Sequence, residues 1–361
     1  MAKRIGILTG GGDCPGLNAA IRAVTKAARY VHGWDVIGIE DGFEGLYHRR
    51  WHELSASAVT GLLARGGTIL GSSNRGNPAA FPIKLPNGRE EIVDVTSECL
   101  ANLSSLDLEA LVVVGGDGTM GMAKAFCDKG VPIVGIPKTI DNDLEATDSS
   151  IGFATAVETA TDALDKLHTT AESHDRIMIC EVMGRYAGWI ALTAGMASGA
   201  DVILIPEIEY DLDRVVKAFR ARAARGMSYS ICVVAEGATP AGGGHAVVRA
   251  GDATQQEKLG GAGDRLAAQV AARVDYQVRV TVLGHIQRGG PPCAADRILA
   301  TRFGTRAVEL IAERRFGTVA ALRGDQIVAE PIDKATRKIK CVDLDGDLLR
   351  GARALGTEFG N

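Results

Sequence analysis

Short apolar runs alternate with stretches of helical periodicity along most of the chain. The apolar runs are rich in Val and Ile, a composition typical of buried β-strands. They predict strands at residues 4–9, 35–39, 110–114, 132–136, 176–180, 202–205, 229–235 and 277–282. The segments between them predict helices at 17–30, 120–129, 154–171, 212–225 and 293–312. This alternation predicts an α/β fold with mostly parallel sheets, whose ligands bind at the carboxyl ends of the strands.

Two segments interrupt the alternation. Residues 71–91 contain three prolines and several glycines, which predicts an exposed loop or hairpin. Residues 239–263 are rich in Gly, Ala, Gln and Asp, which predicts a mobile connection. Neither segment is a convincing domain linker, and the chain has no internal repeat of fixed period.

Composition excludes several classes of protein. The 361 residues, 46% hydrophobic and 23% charged, are enough for two globular domains. A formal net charge of −4 gives no basic surface for nucleic acid, although a local arginine cluster can still bind a small anion. No apolar run approaches the roughly 18 residues of a membrane span, and no secretory leader is evident. Seven cysteines without a CxxC pair favour a reducing compartment, so we expect a cytoplasmic protein.

Glycine-rich turns follow two of the predicted strands. The segment 10–16 reads GGGDCPG, and the segment 115–119 reads GGDGT. Glycine allows backbone N–H groups to approach phosphate oxygens closely, so two such turns favour a phosphate site. Each turn alone also has a purely structural interpretation, because many strand-to-helix turns need glycine. Neither is a Walker A loop, and residues 10–16 do not fit the dinucleotide fingerprint.

Acidic and basic residues occupy other strand ends. PKTIDND at 137–143 places two carboxylates two residues apart, which suits a general base and a positioning group but also an ordinary solvated turn. Arg185 and Arg288 each lie among glycines after a predicted strand, where a guanidinium can bind phosphate. His285 alone is as well explained by a structural role, but its position beside Arg288 favours binding.

Five segments together resemble the 6-phosphofructokinase family, in its order and spacing. They are GGGDCPGLNAAIR, VVVGGDGT, PKTIDND, EVMGRYAGW and VLGHIQRGGPP followed by DRILA. The C-terminal VDLDGDLL resembles a bacterial branch that contains ATP-using and pyrophosphate-using enzymes. The resemblance implies a phosphofructokinase-like fold of two Rossmann-like domains with mostly parallel sheets. A phosphoryl-donor domain would span 1–140, completed by 305–361, and a sugar-phosphate domain would span 141–304.

The family resemblance also implies the reaction and its catalytic residues. The γ-phosphoryl group of ATP would pass to the 1-hydroxyl of fructose 6-phosphate, with Mg²⁺ as cofactor, to give fructose 1,6-bisphosphate. Asp141 would be the base, Thr139 and Asp143 would orient the reacting groups, and Arg185 would stabilise the transferring phosphoryl group. Asp117 would act through the metal.

The same resemblance implies the binding residues. Those for the donor are Gly12, Arg75, Gly118, Thr119 and Lys138. Those for the sugar phosphate are Thr139, Asp141, Asp143, Arg176, Met183, Gly184, Arg185, Glu236, Arg279, His285 and Arg288. In this family the counterparts of Arg176 and Arg279 come from a neighbouring subunit, so the chain would form a homo-oligomer, either a tetramer or a dimer. Arg75 is assigned because many ATP users carry an arginine shortly after the segment 70–72.

Two markers of the phosphoryl donor disagree. Gly118 is typical of ATP users, whereas pyrophosphate users carry aspartate there; Lys138 occurs with pyrophosphate users and also in this branch. We favour ATP, because Gly118 lacks the carboxylate that would repel the α-phosphate of ATP. Pyrophosphate is the alternative donor. The segment GGDGT also occurs in NAD kinases and lipid kinases, but a kinase of that type would leave PKTIDND and HIQRGG without a role. A catalytically silent sensor is disfavoured because Asp141 and Arg185 are present.

Overall fold

The structure, a computed structural model, describes residues 3–73, 76–251 and 257–361. Its strands are β1 (Arg4–Thr9), β2 (Asp35–Ile39), β3 (Trp51–Glu53), β4 (Phe81–Lys84), β5 (Glu90–Val93), β6 (Ala110–Gly115), β7 (Ile133–Pro137), β8 (Arg176–Val182), β9 (Val202–Leu204), β10 (Ser230–Ala235), β11 (Val247–Arg249), β12 (Lys258–Leu259), β13 (Gln277–Val282), β14 (Thr318–Arg323) and β15 (Gln326–Pro331). Its α-helices are α1 (Leu17–His32), α2 (Phe43–His48), α3 (Thr96–Ser104), α4 (Asp117–Cys127), α5 (Phe153–Ser173), α6 (Trp189–Ala197), α7 (Leu212–Ala224), α8 (Ala262–Ala271), α9 (Ala294–Ala312) and α10 (Asp347–Ala354).

The larger sheet has the strand order β15-β14-β7-β6-β1-β2-β3 within the described residues. Its strands from β14 to β2 run parallel, and β3 and β15 pair antiparallel at the two edges. The inner strands β1, β6 and β7 are almost fully buried, which explains their continuous apolar runs. The chain order reverses between β1 and β6, so the carboxyl ends of these strands form a topological switch point, where open α/β sheets bind ligands.

The smaller sheet is all parallel, with the order β13-β8-β10-β9. Alternate side chains of β8 face opposite sides, as the twofold repeat of a strand requires. Ile177 and Ile179 pack in a core with α7 and α8, whereas Met178 and Cys180 pack in the core that includes α5 and α6. Helices therefore cover both faces of this sheet.

The predicted α/β architecture with mostly parallel sheets is confirmed. Each predicted strand and helix is present, with its ends displaced by three residues or fewer. The largest displacement is at α4, which begins at Asp117 rather than at residue 120, so the acid and the glycine after it lie in the first helical turn. Segment 71–91 contributes to the antiparallel β4–β5 hairpin, and segment 239–263 contains the short β11–β12 pair.

Several elements were not foreseen from the sequence. The β14–β15 hairpin joins the larger sheet, although the alanine-rich sequence TVAALR gives little strand signal. Helices α2, α3, α6, α8 and α10 were not predicted either. The division into domains at residue 140 stays a prediction. Among the described residues, no helix is both long and apolar enough to cross a membrane.

Candidate functional site

Lys138 holds the first glycine-rich turn in place. It follows β7 and is almost fully buried, and its ammonium group donates to the carbonyl oxygens of Gly10, at 3.0 Å, and Gly12. The backbone N–H of Gly10 in turn donates to the Val114 carbonyl of β6 at 2.9 Å. Burial lowers the pKa of Lys138. The lysine expected to bind donor phosphate therefore also shapes the turn that would bind it.

Thr119 lies beneath both glycine-rich turns. Its side chain is buried, and a Cβ at Gly10 would come within 2.8 Å of its methyl group. A Cβ at Gly115 would overlap the same side chain. These two glycines are thus required by close packing, and Thr119 joins the turns after β1 and β6. Its predicted contact with the donor stays a prediction.

The N-terminus of α4 is open to solvent at this switch point. Asp117 and Gly118 are both exposed in the first helical turn. A Cβ added at Gly118 would meet no other described atom within 4 Å. Unpaired backbone N–H groups at a helix N-terminus attract anions, so this end of α4 suits a phosphate group.

The turn after β7 carries the predicted base. Asp141 is 4% exposed, and its backbone N–H donates to Thr139 Oγ1 at 3.1 Å. Its Oδ1 atom is buried and has no hydrogen-bond partner among the described residues. Asn142 adopts a left-handed conformation with φ of 53°, and its side-chain oxygen accepts from the Ser150 N–H at 3.2 Å. A buried carboxylate with one unpaired oxygen suits a general base, and hydrogen bonds of Thr139 and Asn142 hold its turn in place.

Burial and neighbouring charges set the acidity of this turn. Burial raises the pKa of Asp141, which the nearby guanidinium groups of Arg288 and Arg185 oppose. Burial also raises the pKa of Asp143 to about 7, and the charges of Asp141 and Asp117 add to this rise. Each of these pKa shifts makes the free energy of unfolding depend on pH, and each also changes the reactivity of the carboxyl group.

Replacing Asp143 by Asn should make the stability of the protein less sensitive to the rise in pH from about 4 to 7. The raised folded-state pKa of Asp143 favours folding when the group is protonated, and this contribution is lost as the pH rises from about 4 toward 7. The free energy of unfolding of Asp143→Asn, relative to wild type, should therefore be larger at pH 8 than at pH 5. Urea unfolding at both pH values in metal-free buffer measures it. An equal difference at the two pH values would contradict the assignment.

The smaller sheet supplies a second turn, after β8. Arg185 has a left-handed conformation with φ of 52°, and its backbone N–H donates to Glu236 Oε1 at 3.1 Å. A Cβ at Gly184 would come within 2.6 Å of the Ala187 carbonyl oxygen, so this tight turn needs glycine. Met183, just before it, is partly buried. Glu236, predicted to contact the sugar, thus also fixes the strained backbone that presents Arg185.

Arg288 links the two sheets. It ends a short 3₁₀ helix, Gly284–Arg288, directly after β13, and His285 lies exposed in the same turn. The Nη1 atom of Arg288 donates to the Asp13 carbonyl at 3.3 Å and lies 2.8 Å from the position that a Cβ would take at Gly12. Arg288 is also the largest cationic influence on the pKa of Asp141. The structure therefore brings the predicted phosphate residue of one sheet to the glycine-rich turn of the other.

Arg176 and Arg279 lie apart from this cluster. Arg176 begins β8, whereas Arg185 follows its end, and the seven-residue strand separates the two by roughly 20 Å or more. Both arginines bond the side-chain oxygen of Gln277, at 3.2 and 3.3 Å. Arg279 is exposed. Within one chain Arg176 lies at the opposite end of β8 from the Arg185 turn, and its contribution to a neighbouring copy stays a prediction. Arg75 lies outside the described residues.

Two residues at this site were missed by sequence reasoning. Lys340 contacts the turn that carries Asp141, and Trp189, the first residue of the helix after the Arg185 turn, contacts Lys340, as described below. Nothing in the sequence marks Lys340, which follows Asp141 by almost 200 residues and lies in no recognised motif.

The carboxylates fit a magnesium ion held mainly by substrate. Asp117 is exposed, and its charge and those of Asp141 and Asp143 act on one another. Among the residues that the structure describes, no group of three or more His, Cys, Asp or Glu side chains is arranged to hold a metal ion. Mg²⁺ commonly keeps several waters and uses one or two carboxylates together with substrate phosphates, which this arrangement allows.

Glycine-rich turns, a helix N-terminus, acids and arginines meet at the carboxyl ends of parallel strands. This fold and this site define an α/β protein that binds phosphate groups. The chain belongs to the phosphofructokinase family, whose model matches residues 4–311.

Named relatives use two different donors. The chain is 48% identical to "ATP-dependent 6-phosphofructokinase 2" of Clostridium perfringens, over 99% of this chain and 98% of the relative. It is 49% identical to "Pyrophosphate--fructose 6-phosphate 1-phosphotransferase" of Amycolatopsis methanolica, over 94% and 96%.

Solved structures agree with the fold. Phosphofructokinase from Saccharomyces cerevisiae has a TM-score of 0.76 at 29% identity; 98% of this chain is covered, but only 47% of the yeast chain. A pyrophosphate-dependent phosphofructokinase from Nitrosospira multiformis has a TM-score of 0.80 at 21% identity, covering 100% and 93% of the two chains. The phosphofructokinase-like fold inferred from the sequence motifs is thereby confirmed.

Proposed function

We propose that this chain is an ATP-dependent 6-phosphofructokinase of glycolysis, which phosphorylates the 1-hydroxyl of fructose 6-phosphate. The observation that carries the choice of donor is the open space at Gly118. At the N-terminus of α4 no described side chain approaches this position, so a donor larger than pyrophosphate has room beside exposed backbone N–H groups. The relative from Clostridium perfringens, named as ATP-dependent, supports the same choice.

In the proposed reaction Asp141 accepts the proton of the attacking hydroxyl. Its raised pKa brings it closer to neutral pH, where a general base is most effective. Arg185 stabilises the charge on the transferring phosphoryl group, and Arg288 holds the 6-phosphate. Phosphoryl transfer depends mainly on positioning and charge neutralisation, and the turns after β7, β8 and β13 supply both.

Mg²⁺ is the proposed cofactor, and Asp117 is the residue proposed to act through it. When bound, the ion would neutralise charge on the donor phosphates. Asp117, in the first turn of α4, would hold it on the donor side, whereas Asp141 stays free to take the proton. Asp143 and Thr139 orient the reacting groups from the same turn.

Pyrophosphate is the second candidate donor. The relative from Amycolatopsis methanolica favours it, since its identity to this chain is as high as that of the ATP-dependent relative. Lys138 does not distinguish the two donors. Its ammonium group bonds two carbonyls of the first glycine-rich turn, a contact that would serve either donor.

A homo-oligomer with shared active sites is part of this proposal. Arg279 is exposed on the edge strand β13 of the smaller sheet, a position open to a neighbouring copy, and this position supports the proposal. We place the enzyme in the cytoplasm, which agrees with seven cysteines that are all free.

Mixing two variants that each impair the site should restore activity if the site is shared. Arg279→Ala should raise KM for fructose 6-phosphate about 10- to 100-fold, because a charge-assisted phosphate contact is lost. Hybrids of Arg279→Ala and Asp141→Asn chains should contain some sites with a normal Asp141 from one chain and a normal Arg279 from the other. Activity of refolded mixtures at low fructose 6-phosphate measures the recovery. Mixtures of Arg279→Ala with the double variant are the control, because they keep the residual activity of Arg279→Ala but contain no normal Arg279. Equal activity in both mixtures would exclude sharing.

The assigned reaction is tested by product analysis. The purified chain, supplied with ATP, Mg²⁺ and fructose 6-phosphate, should yield ADP and fructose 1,6-bisphosphate in equal amounts, as followed by ³¹P NMR. Release of inorganic phosphate without a bisphosphate product would refute the proposed activity.

A further inference from the structure

The segment 336–346 contacts the turn of Asp141 and the first residue of α6, the helix that follows the turn of Arg185. It follows β15 and lies beyond residue 311, where the match to the family model ends. Its Ile339 bridges to Leu144, and the backbone N–H of Lys340 donates to the Asp143 carbonyl at 2.7 Å. The Lys340 carbonyl accepts from Trp189 Nε1 at 2.8 Å. One residue therefore connects the turn of Asp141 and Asp143 with the helix that follows the turn of Arg185.

The ammonium group of Lys340 makes three further bonds to the turn of the proposed base. It donates to Asn142 Oδ1 at 3.1 Å and to the carbonyl oxygens of Thr147 and Asp148, at 2.8 and 2.9 Å. All three of its protons thus have acceptors, which is the full capacity of a lysine. Asn142 stands directly between Asp141 and Asp143 in a left-handed conformation, so a bond to its side chain acts where the turn is strained.

Neighbouring contacts extend the same connection. The ring of Trp189 lies 5.5 Å from the Lys340 ammonium, a cation–π contact. Two residues on, the Val342 N–H donates to Glu207 Oε1 at 2.8 Å, and the same carboxylate accepts from the Gly188 N–H. Segment 336–346 thus bonds the Asp143 carbonyl directly, and it is connected to the Gly188 N–H through the Glu207 carboxylate.

We propose that Lys340 is a positioning residue that sets the orientation of the Asp141 turn and connects it to α6, the helix that follows the Arg185 turn. It touches neither substrate, and it acts on the distance between base, hydroxyl and phosphoryl group. A misplacement of about 1 Å can cost on the order of a hundredfold in rate, so this role should be visible in kcat. The inference rests on the proposed phosphoryl transfer.

The test compares Lys340→Met with Lys338→Met. Methionine keeps the length of the side chain and both backbone bonds of residue 340, but removes the three ammonium bonds. Lys338 is exposed and pairs with Glu145 at 3.0 Å, so its substitution is a matched loss of charge in the same segment. Lys340→Met should lower kcat about 10- to 100-fold with KM for both substrates within about threefold of wild type, and Lys338→Met should change neither.

Calorimetric titration with fructose 6-phosphate and a thermal unfolding scan complete the experiment. A folded Lys340→Met enzyme whose kcat equals that of wild type would overturn the proposal. A loss of kcat accompanied by an equally large loss of substrate affinity would also overturn it, because that result indicates a general disordering of the site. If Lys340→Met does not fold, Trp189→Phe decides, since it removes the bond to the Lys340 carbonyl and keeps an aromatic ring at position 189. It should lower kcat several-fold at unchanged KM, and an unchanged kcat would refute the role.

Failure of the proposed reaction would give a different result. A wild-type chain inactive with both ATP and pyrophosphate would overturn the proposed function and the kinetic role of Lys340 together. An active wild type with an unaffected Lys340→Met variant would overturn only the role of Lys340.

Discussion

Gly118→Asp is expected to lower kcat/KM for ATP by about three orders of magnitude and to change kcat/KM for pyrophosphate much less. A carboxylate at position 118 would face the α-phosphate of ATP, and two unit charges about 4 Å apart repel by roughly 4 kcal/mol at an effective dielectric constant near 20. Pyrophosphate has no corresponding group. The new side chain enters open space in the first turn of α4, where an acid favours the helix dipole, so the fold should persist.

Two control variants separate charge from other effects. Gly118→Ala adds a Cβ in the same open space without charge and should keep most of the activity with ATP. Gly121→Asp places a carboxylate later in the same helix, again where a Cβ meets no described atom within 4 Å. Steady-state kinetics with each donor at saturating fructose 6-phosphate provide the measurement. Equal losses for both donors in Gly118→Asp would show that position 118 does not face the α-phosphate.

Asp141→Asn is expected to lower kcat by about 10² to 10⁴ while leaving substrate binding nearly intact, as removal of a general base does. The amide has nearly the size of the carboxylate and relieves the burial of a charge, so the variant should fold at least as well as wild type. Glu145→Gln, a partly exposed acid in the same segment, is the matched control. Single-turnover rates and calorimetric binding of fructose 6-phosphate distinguish lost chemistry from lost affinity. A kcat close to that of wild type would remove Asp141 from the role of base.

Much of this site could be predicted because its chemistry lies at strand ends. The apolar runs 4–9, 110–114 and 132–136 fixed three parallel strands, and parallel strands bring their carboxyl ends to one edge. Asp141 and Asp117 follow two of those strands, so their proximity to the glycine-rich turn after β1 follows from topology. The same reasoning placed Arg185 and Arg288 at the ends of β8 and β13.

The remaining features depend on contacts that no local pattern contains. The spacing of PKTIDND does not show that the Lys138 ammonium turns back to the carbonyls of Gly10 and Gly12. It does not show that burial raises the pKa of Asp143 to about 7, since burial depends on the whole fold. Lys340 reaches Asn142 from a segment almost 200 residues away, and a single lysine between Ile339 and Cys341 carries no periodic signal.

The identity of the phosphoryl donor is the central claim, and one comparison tests it directly. The wild-type chain is assayed with Mg²⁺ at saturating fructose 6-phosphate, with ATP and with pyrophosphate as alternative donors, and kcat/KM is determined for each. The open position at Gly118 predicts the larger kcat/KM for ATP. A larger kcat/KM for pyrophosphate would contradict the account.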